Sequence, residues 1–323
     1  MDACLQHLTN NLTPELILQQ VINGVTLGAI YALIALGYSM VYGVLELINF
    51  AHGDVFMIGG FISLGVIDTF GLHDKAPLYI AIPVLLVALI IAMAGCALLG
   101  FTIEKVAYRP LRAAPRLAPL ISAIGVSFML EAWVATYVTS QPKRFPDLLP
   151  GNITIYHGVS ISYIQVLMLV MSVIMMVALT LLVRRTRLGR GMRAVAQDRE
   201  AAALMGVNLD SVISFTFIIG SALAAAAGLL YAMALPIKND IGFIAGLKAF
   251  TAAVIGGIGN IPGAMLGGFL LGMAEAFGGG YASNISCGFF GSGYQDAVAF
   301  AFLVLMLLFR PRGILGETVS ERA

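Results

Sequence analysis

Eight long apolar runs separated by short polar segments constrain the fold of this chain more than any other feature. A helix that spans a bilayer needs about 20 mostly apolar residues. Only 11% of the residues are charged, whereas soluble domains carry about 25%. The sequence therefore predicts an all-α polytopic membrane protein, with one membrane domain over residues 1–323. The runs cover residues 16–42, 55–70, 79–101, 119–139, 161–183, 211–235, 250–277 and 294–309.

Basic residues are concentrated in three segments, 105–116, 184–199 and 310–322, which hold thirteen of the eighteen Lys and Arg residues. Cationic loops are retained on the cytoplasmic side of a membrane, so we expect all three segments and the C-terminus to be cytoplasmic. Three runs precede the first basic segment, which places the N-terminus outside. The segments predicted to lie outside are 71–78, 140–160, 236–245 and 278–293.

The run 250–277 breaks this alternation unless it turns back. Three runs lie between the second and third basic segments, an odd number that would leave those segments on opposite sides. The centre of the run carries Gly256, Gly257, Gly259, Pro262 and Gly263, and closely spaced Gly and Pro mark a turn. We therefore predict a re-entrant or broken-helix hairpin, with helices over 245–255 and 263–277, in addition to about eight transmembrane helices.

Glycines recur at a spacing of four residues, which permits close approach of helix backbones in lipid. Packing within the chain is the favoured interpretation, and contact with a second membrane subunit is the alternative. The glycines are Gly24 with Gly28, Gly259 with Gly263 and Gly267, and Gly268 with Gly272.

The sequence offers no support for catalysis, a metal site or a bound cofactor. It contains no phosphate-binding loop of the form G-x-x-x-x-G-K-S/T, no H-E-x-x-H and no G-x-S-x-G. Three cysteines support neither a disulfide framework nor a metal site. The four histidines, His7, His52, His73 and His157, are scattered over loops and run ends.

Residues 46–54 place two carboxylates, a histidine and an asparagine between two apolar runs. One interpretation is an ordinary polar turn at the membrane surface. The other is a broken helix whose polar groups face a pathway, because polar groups within a membrane usually face the protein interior or water.

Acidic residues within the apolar runs are few. Glu131 lies near the middle of its run, and a structural hydrogen bond is favoured over a role in transport. Glu275 and Asp296 are expected at the interface. The runs offer no obvious basic partner, which argues against an ion relay. Trp133 and Tyr137 suit an outer aromatic belt.

Six arginines fall within residues 184–199, and a short Ala-rich stretch follows them. One interpretation is a plain topology signal. The other is a cytoplasmic coupling segment over 184–210 that docks on a partner. A helix with small side chains admits close approach of the partner, and the surrounding charged side chains can contact it. The residues assigned to docking are Arg190, Arg193, Asp198, Glu200, Ala201, Ala202 and Gly206.

The chain resembles the branched-chain amino acid permeases of bacterial ATP-binding-cassette importers, specifically the Liv-type H subunits and their Liv-type M homologues. The similarity runs from about Gln20 to Gly316. It is carried by residues 23–28 with 31–33, 49–53, 104–110, 249–268 and 311–316. Glu46 and Glu131 depart from the family pattern, which has a small residue and a neutral amide there.

The resemblance implies a permease of the bacterial inner membrane without ATPase activity of its own. Its partners would be a homologous second permease subunit, two cytoplasmic ATPases that use ATP, and a periplasmic binding protein that delivers leucine, isoleucine or valine. Glu200, Ala201, Ala202 and Gly206 resemble the coupling loop of such permeases, although the Leu-Pro that usually follows is missing.

The expected mechanism is alternating access. The pathway is assigned to Asn23, Tyr31, Tyr38, Asn49, His52, Gly256, Gly257, Gly259 and Pro262. One alternative keeps the architecture and carries urea or short amides. Another is a stand-alone secondary transporter or channel, for which Glu131 is the only fair coupling carboxylate.

Overall fold

The computed structural model describes residues 13–45, 47, 49–74, 76–112, 114–115, 117–156, 158–285, 295–310 and 312–316. The described part of the chain is mostly helical, as predicted. Its α-helices are α1 (Pro14–Leu45), α2 (His52–Thr69), α3 (Leu78–Ile103), α4 (Leu117–Tyr137), α5 (Tyr163–Arg185), α6 (Arg187–Gln197), α7 (Arg199–Leu204), α8 (Leu209–Ala234), α9 (Ile241–Gly256), α10 (Ile261–Ile285) and α11 (Gln295–Phe309). A π-helical turn, Glu104–Tyr108, and a 3-10 turn, Arg109–Leu111, extend α3.

Six helices of the described chain are long and apolar enough to cross a membrane: α1, α3 with its extension, α4, α5, α8 and α10. The other helices from the predicted runs are less suited to spanning alone. α9 and α11 have 16 and 15 residues, and α2 carries His52, Asp54 and Asp68. The predicted polytopic membrane architecture is supported by these six helices, whereas the count of eight is not established.

The hairpin predicted within 250–277 is confirmed. α9 ends at Gly256 and α10 begins at Ile261, and Gly257 and Gly259 adopt positive φ angles of 104° and 89°. α9 begins earlier than the predicted residue 245, because the apolar stretch before Phe250 continues the helix. The two arms approach closely, since a β-carbon on Gly267 would lie 2.6 Å from the backbone nitrogen of Gly256.

α1 is the central helix, and its side chains from Ala29 to Val41 are almost fully buried. Two of its glycines, Gly24 and Gly28, face α10. A β-carbon on Gly28 would lie 2.6 Å from the Cα of Phe269, and one on Gly268 would lie 2.5 Å from the Cα of Ala32. The favoured interpretation of the four-residue spacing, packing within the chain, is therefore confirmed for this pair of helices.

The outer helices expose large apolar side chains. α3, α4, α5 and α11 expose residues such as Ile90, Phe128, Ile174 and Leu308, each more than half accessible. Such surfaces suit lipid or another membrane subunit. Trp133 and Tyr137 are also exposed, with ring centroids 6.1 Å apart, at the end of α4.

Parts of all three basic segments lie at one end of the bundle. Arg199 donates to the carbonyl oxygen of Leu45, at the end of α1, and Arg112 pairs with Asp210, at the start of α8. The segment after α11 contacts the tip of the α9–α10 hairpin, where the Leu315 N–H donates to the Gly256 oxygen at 3.0 Å. The predicted grouping of these segments on one side is consistent with these contacts.

The opposite end carries described parts of three segments predicted to lie outside, 71–78, 140–160 and 236–245, whereas residues 278–285 of the fourth continue helix α10. Lys143 and Ile237 form an isolated bridge, and the backbone nitrogen of Asp147 donates to the Asp74 carboxylate at 2.7 Å. Two antiparallel strands, β1 (Asn152–Tyr156) and β2 (Val159–Ser162), also lie here. They are the one departure from an all-α chain among the described residues, and they arise where alternating polar and β-branched residues follow Gly151.

Candidate functional site

The break between α1 and α2 brings polar residues into the protein interior. α1 ends at Leu45 and α2 begins at His52, and the described residues between them, 47 and 49–51, are non-helical, which fits both interpretations of this stretch. Asn49 is 4% exposed, and its side-chain oxygen accepts a hydrogen bond from the Tyr108 hydroxyl at 2.8 Å. Glu46 lies outside the described residues. The break is therefore fixed by burial and hydrogen bonding within the protein.

Tyr38 and His52 meet in the centre of the bundle. Their ring centroids lie 4.7 Å apart in an edge-on arrangement, and Phe250 of α9 lies next to Tyr38. Glycine permits this packing, since a β-carbon on Gly246 would lie 3.0 Å from the Tyr38 hydroxyl. A narrow cavity beside these rings is lined by Tyr38, Tyr42, Phe250, Ala253 and Ile258.

Among the described residues, three buried polar atoms near this contact make no hydrogen bond of good geometry: the Tyr38 hydroxyl, which faces the Gly53 backbone, His52 Nε2, on a ring that faces the Ile34 backbone, and Asp54 Oδ1. The other Asp54 oxygen accepts a hydrogen bond from Ser127 on α4. Buried polar groups without partners are costly, and such groups in native proteins often mark functional positions. Polar atoms of this kind are suited to bind a polar group that enters the contact.

Asn23 lies in a different place, at the end of the bundle that carries the β-strands. It accepts a hydrogen bond from Gln19 at 3.2 Å, and the Gln19 oxygen accepts one from the backbone of Ser160. A cavity of about 400 Å³ opens here, with uncharged polar groups among its walls. Its lining is Gln19, Asn23, Thr26, Leu27, Ile30, Asn152, Ser160, Ser162, Ile164, Gln165, Met233, Ala234 and Leu235.

The hairpin turn with Gly256, Gly257, Gly259 and Pro262 lies at the opposite end. The Gly259 N–H donates to the Ser39 hydroxyl on α1 at 2.9 Å. Gly256 and Gly257 are buried, whereas Gly259 and Pro262 are exposed. The predicted pathway residues therefore lie on or beside α1 at different levels, from one end of the bundle to the other. They do not line one common cavity.

Tyr31 takes part in a cluster of charges that the sequence interpretation missed. Its hydroxyl donates to Glu275 at 2.8 Å, and the Lys248 ammonium contacts the same carboxylate at 2.6 Å. One prediction was therefore wrong, because Glu275 is 4% exposed and not interfacial. Its basic partner, Lys248, lies just before the predicted apolar run 250–277. Lys248 lies eight residues before the Gly-rich turn, and this signal was available in the sequence.

Glu131 is half-buried on α4, on the side of the bundle that also holds Asp54 and Ser127. Its assignment to a structural hydrogen bond stays a prediction. Among the described residues, no group of three His, Cys, Asp or Glu side chains is arranged to hold a metal ion. Cys96 is buried, and its thiol donates to the Val55 oxygen.

The predicted coupling segment forms two short helices, α6 and α7, with side-chain caps. Thr186 accepts a hydrogen bond from the Gly189 nitrogen at the start of α6, and Asp198 accepts one from the Ala201 nitrogen at the start of α7. Gly206, with a φ of 84°, ends the segment. Asp198 is thus a helix cap, which satisfies free N–H groups at the first turn.

The surface of this segment differs from the predicted one in one respect. Glu200, Ala201 and Gly206 are exposed, but Ala202 is 4% exposed and packs into the core, so it is not on the outer face. The missed residues are Leu204 and Met205, which are 88% and 84% exposed. Large apolar side chains exposed at a bundle end are typical of a surface that a partner covers.

Arginines of the block differ in what they contact. Arg190 is exposed, whereas Arg193 donates to the Val183 oxygen. Arg199 donates to the Leu45 oxygen and, at 3.3 Å, to that of Val44. Basic side chains at the end of a helix complement its free carbonyls, so Arg193 and Arg199 join this segment to α5 and α1.

A network of charges joins the start of α8 to the end of α3. Asp210 pairs with Arg109 and Arg112, and Arg112 also pairs with Glu104, which is fully buried. The Ser214 hydroxyl donates to the second Glu104 oxygen at 2.7 Å. Because α8 follows directly after α7, these ion pairs connect the predicted coupling segment to the end of α3.

A bundle of apolar helices with a helical hairpin, a polar break between α1 and α2, and a basic segment of two short helices is typical of an integral membrane protein of the transporter class. Residues 20–308 match the family model described as "Branched-chain amino acid transport system / permease component". The chain belongs to this family of permeases of ABC-type amino-acid transport.

Curated relatives match along nearly their whole length. The chain is 50% identical over 313 residues to the high-affinity branched-chain amino acid transport system permease protein BraD of Pseudomonas aeruginosa, covering 94% of this chain and 97% of the relative. It is 45% identical over 311 residues to LivH, of the same description, from Escherichia coli strain K12, with the same coverage.

Among solved structures, PsaBC from Streptococcus pneumoniae in complex with Fab matches 95% of this chain and 97% of that chain. The TM-score is 0.47 and the identity 12%. This similarity is too low to carry conclusions about fold or function.

Proposed function

We propose that this chain is a permease subunit of an ATP-driven importer of branched-chain amino acids. The observation that carries the proposal is the identity of 50% and 45% to two permeases of high-affinity branched-chain amino acid transport, over 97% of each. Permeases of multi-component transport systems work with other subunits. The partners proposed here are a homologous second permease, two cytoplasmic ATPases and a periplasmic binding protein.

ATP is bound and hydrolysed by the partner ATPases and not by this chain. Residues 184–210 act as the coupling segment, with Glu200, Ala201, Leu204 and Met205 on its docking face. The exposure of Leu204 and Met205 supports this assignment, because a partner that covers them removes apolar surface from water. Arg190 is also exposed and suits a charged contact with the ATPase.

The contacts of that segment support alternating access as the mechanism. When the ATPases close, movement of α7 is passed to α1 through Arg199 and to α8 through the Asp210 network. Packed helices switch between discrete arrangements, because interfaces and packed cores are bistable. The unpartnered atoms of Tyr38 and His52 then become available to the passing cargo.

The cargo pathway is formed by this chain together with its permease partner. Its outer portion is the polar cavity around Asn23, its closed middle is the contact of Tyr38 with His52 and Phe250, and its inner portion is the turn at Gly257 and Gly259. A pathway with few charges and some backbone dipoles suits a zwitterion with an apolar side chain, since tight binding would slow release.

The membrane is the bacterial inner membrane, with the basic end of the bundle in the cytoplasm. The contacts that bring parts of all three basic segments together support this orientation, since cationic loops stay on the cytoplasmic side. The β-strands and the polar cavity then face the periplasm, where the binding protein docks.

The test is purification of this chain with its co-expressed genomic neighbours, followed by reconstitution in proteoliposomes. Leucine uptake that requires ATP, two copurifying ATPases and the binding protein supports the proposal. Uptake of urea or acetamide in place of leucine would assign the alternative cargo. Uptake by this chain alone, without ATPases, would identify a stand-alone carrier, for which the charges at Lys248 and Glu275 would be the first candidates.

A further inference from the structure

Four helices meet at a cluster of charges formed by Lys248, Glu275, Asp296 and Tyr31. Lys248 lies in the middle of α9, and its ammonium is 2.6 Å from both Glu275 Oε1 and Asp296 Oδ1. The same ammonium is 3.3 Å from the Tyr31 hydroxyl, which donates to the second Glu275 oxygen at 2.8 Å. Helices α1, α9, α10 and α11 each supply one of these side chains.

Burial differs sharply across the cluster. The side chains of Lys248 and Glu275 are 8% and 5% exposed, whereas that of Asp296 is 51% exposed. Glu275 and Tyr31 therefore hold the lysine from within the protein, and Asp296 forms the open side. Asp296 lies in the first turn of α11, at the end of the bundle away from the hairpin tip.

The charges do not balance. One ammonium faces two carboxylates, and in the described part of the chain no second Lys or Arg forms an ion pair with either of them. A charge within a membrane is costly unless it is paired or near water, and such residues usually mark a substrate or ion site. Because the Asp296 side chain is half exposed and has one ammonium partner, its open side is accessible to a second cation.

We infer that Asp296 is a recognition subsite for the ammonium group of a zwitterionic amino-acid cargo. The cargo ammonium pairs with the open Asp296 carboxylate, while Lys248, held by Glu275 and Tyr31, fixes the position of that carboxylate. This inference rests on the proposed function and deepens it. Urea and short amides carry no cation, so the subsite favours amino acids over the alternative cargo.

The variant Asp296→Asn tests this directly, because it removes the open charge and leaves the buried pair of Lys248 and Glu275 balanced. The complete complex is reconstituted in proteoliposomes with leucine-loaded binding protein at saturation, and leucine uptake and ATP hydrolysis are measured together. We expect uptake to fall about tenfold, the order of one ionic hydrogen bond, while ATP hydrolysis continues. The expected result is thus fewer leucines per ATP.

Two further variants make the test specific. Asp296→Glu keeps the charge and should restore most of the uptake. Asp68→Asn removes an exposed carboxylate near the same end of another helix, α2, and should leave leucines per ATP unchanged. Equal ratios for Asp296→Asn and wild type, or an equal loss in Asp68→Asn, would overturn the inference.

Two further measurements identify the bound cation and distinguish failure of the subsite from failure of the proposed function. Replacement of Na⁺ by N-methylglucamine should not change wild-type uptake, and a loss there would assign the site to a metal cation and overturn the ammonium assignment. The wild-type complex is the test of the proposed function. If it imports leucine and only the variant result fails, the subsite alone is wrong; if it imports urea and not leucine, both are wrong.

Discussion

Arg199 of the coupling segment donates a hydrogen bond to the carbonyl oxygen of Leu45, the last residue of the central helix. A helix leaves its last four carbonyls without intrahelical partners, and a basic side chain can satisfy them. Arg199 therefore contributes to the end of α1 and connects it to the segment proposed to receive force from the ATPases. Under the proposed function, this contact is the direct connection between α7 and the largely buried central helix.

The variant Arg199→Met should uncouple transport from ATP hydrolysis. The ATPases still dock, because Leu204 and Met205 are intact, but α1 no longer follows α7. We expect leucine uptake to fall about tenfold, since one ionic hydrogen bond is lost, with ATP hydrolysis largely kept. Arg187→Met, at the exposed start of α6, is the control. Equal losses in the two variants would show that charge alone, and not the contact with Leu45, matters.

Docking of the ATPases should depend on the exposed apolar side chains at the end of α7. Leu204→Asp removes an anchor whose burial contributes about 1.5–3 kcal/mol, and Glu200→Arg reverses a rim charge. We expect both to reduce copurification of the ATPases, with the larger effect from Leu204→Asp. The measurement is the ratio of ATPase to permease after affinity purification.

The control for docking is Ile153→Asp. Ile153 is an exposed apolar residue on β1, at the opposite end of the bundle. It should leave the subunit ratio unchanged. Normal copurification with Leu204→Asp would refute the docking assignment.

Packing of α1 on α10 should be sensitive to one added methyl group. A β-carbon on Gly28 would meet the backbone of Phe269 at 2.6 Å, and backbone cannot move aside without separating the helices. We expect Gly28→Ala to destabilise the protein by roughly 1–3 kcal/mol, the usual cost of overpacking, seen as a lower thermal unfolding midpoint in detergent. Gly125→Ala, where no atom lies within 4 Å, should have little effect and serves as the control.

Much of the helical architecture could be predicted from the sequence, because burial in lipid and the length of a span leave a strong signal. The broken helix near His52 and the hairpin at Gly257 followed from polar and glycine-rich interruptions. The number of crossings could not be fixed, because α9 and α11 are short and whether a short helix crosses depends on what packs around it.

The site was predicted less well, for a physical reason. Asn23, Tyr31 and Tyr38 share one side of α1, yet the structure gives them three different environments, since each faces a different neighbouring helix. Lys248 was overlooked because its partner Glu275 is 27 residues away and pairs with it only when the hairpin folds. Long-range pairing of charges leaves no local pattern in the sequence.

The hairpin turn should be required for transport and not for assembly. Gly257 has a φ of 104°, and a β-carbon there would lie 2.5 Å from the backbone nitrogen of Gly316. Gly257→Ala therefore strains the turn by roughly 1–3 kcal/mol and displaces the tail that hydrogen-bonds to α9. We expect leucine uptake to fall by about tenfold or more, with normal recruitment of the ATPases, whose docking face is elsewhere.

His52→Ala should also reduce transport without reducing assembly of the complex, through a different structural change. It removes the ring that packs edge-on against Tyr38 at 4.7 Å and the unpartnered Nε2 assigned to cargo contact. Leucine uptake by the reconstituted complex should fall, while subunit ratios stay normal. Gly65→Ala, with open space around its α-carbon on the same helix, is the matched control. Wild-type uptake rates in both His52→Ala and Gly257→Ala would place the pathway elsewhere, since the two changes alter the closed middle and the inner portion of the proposed pathway.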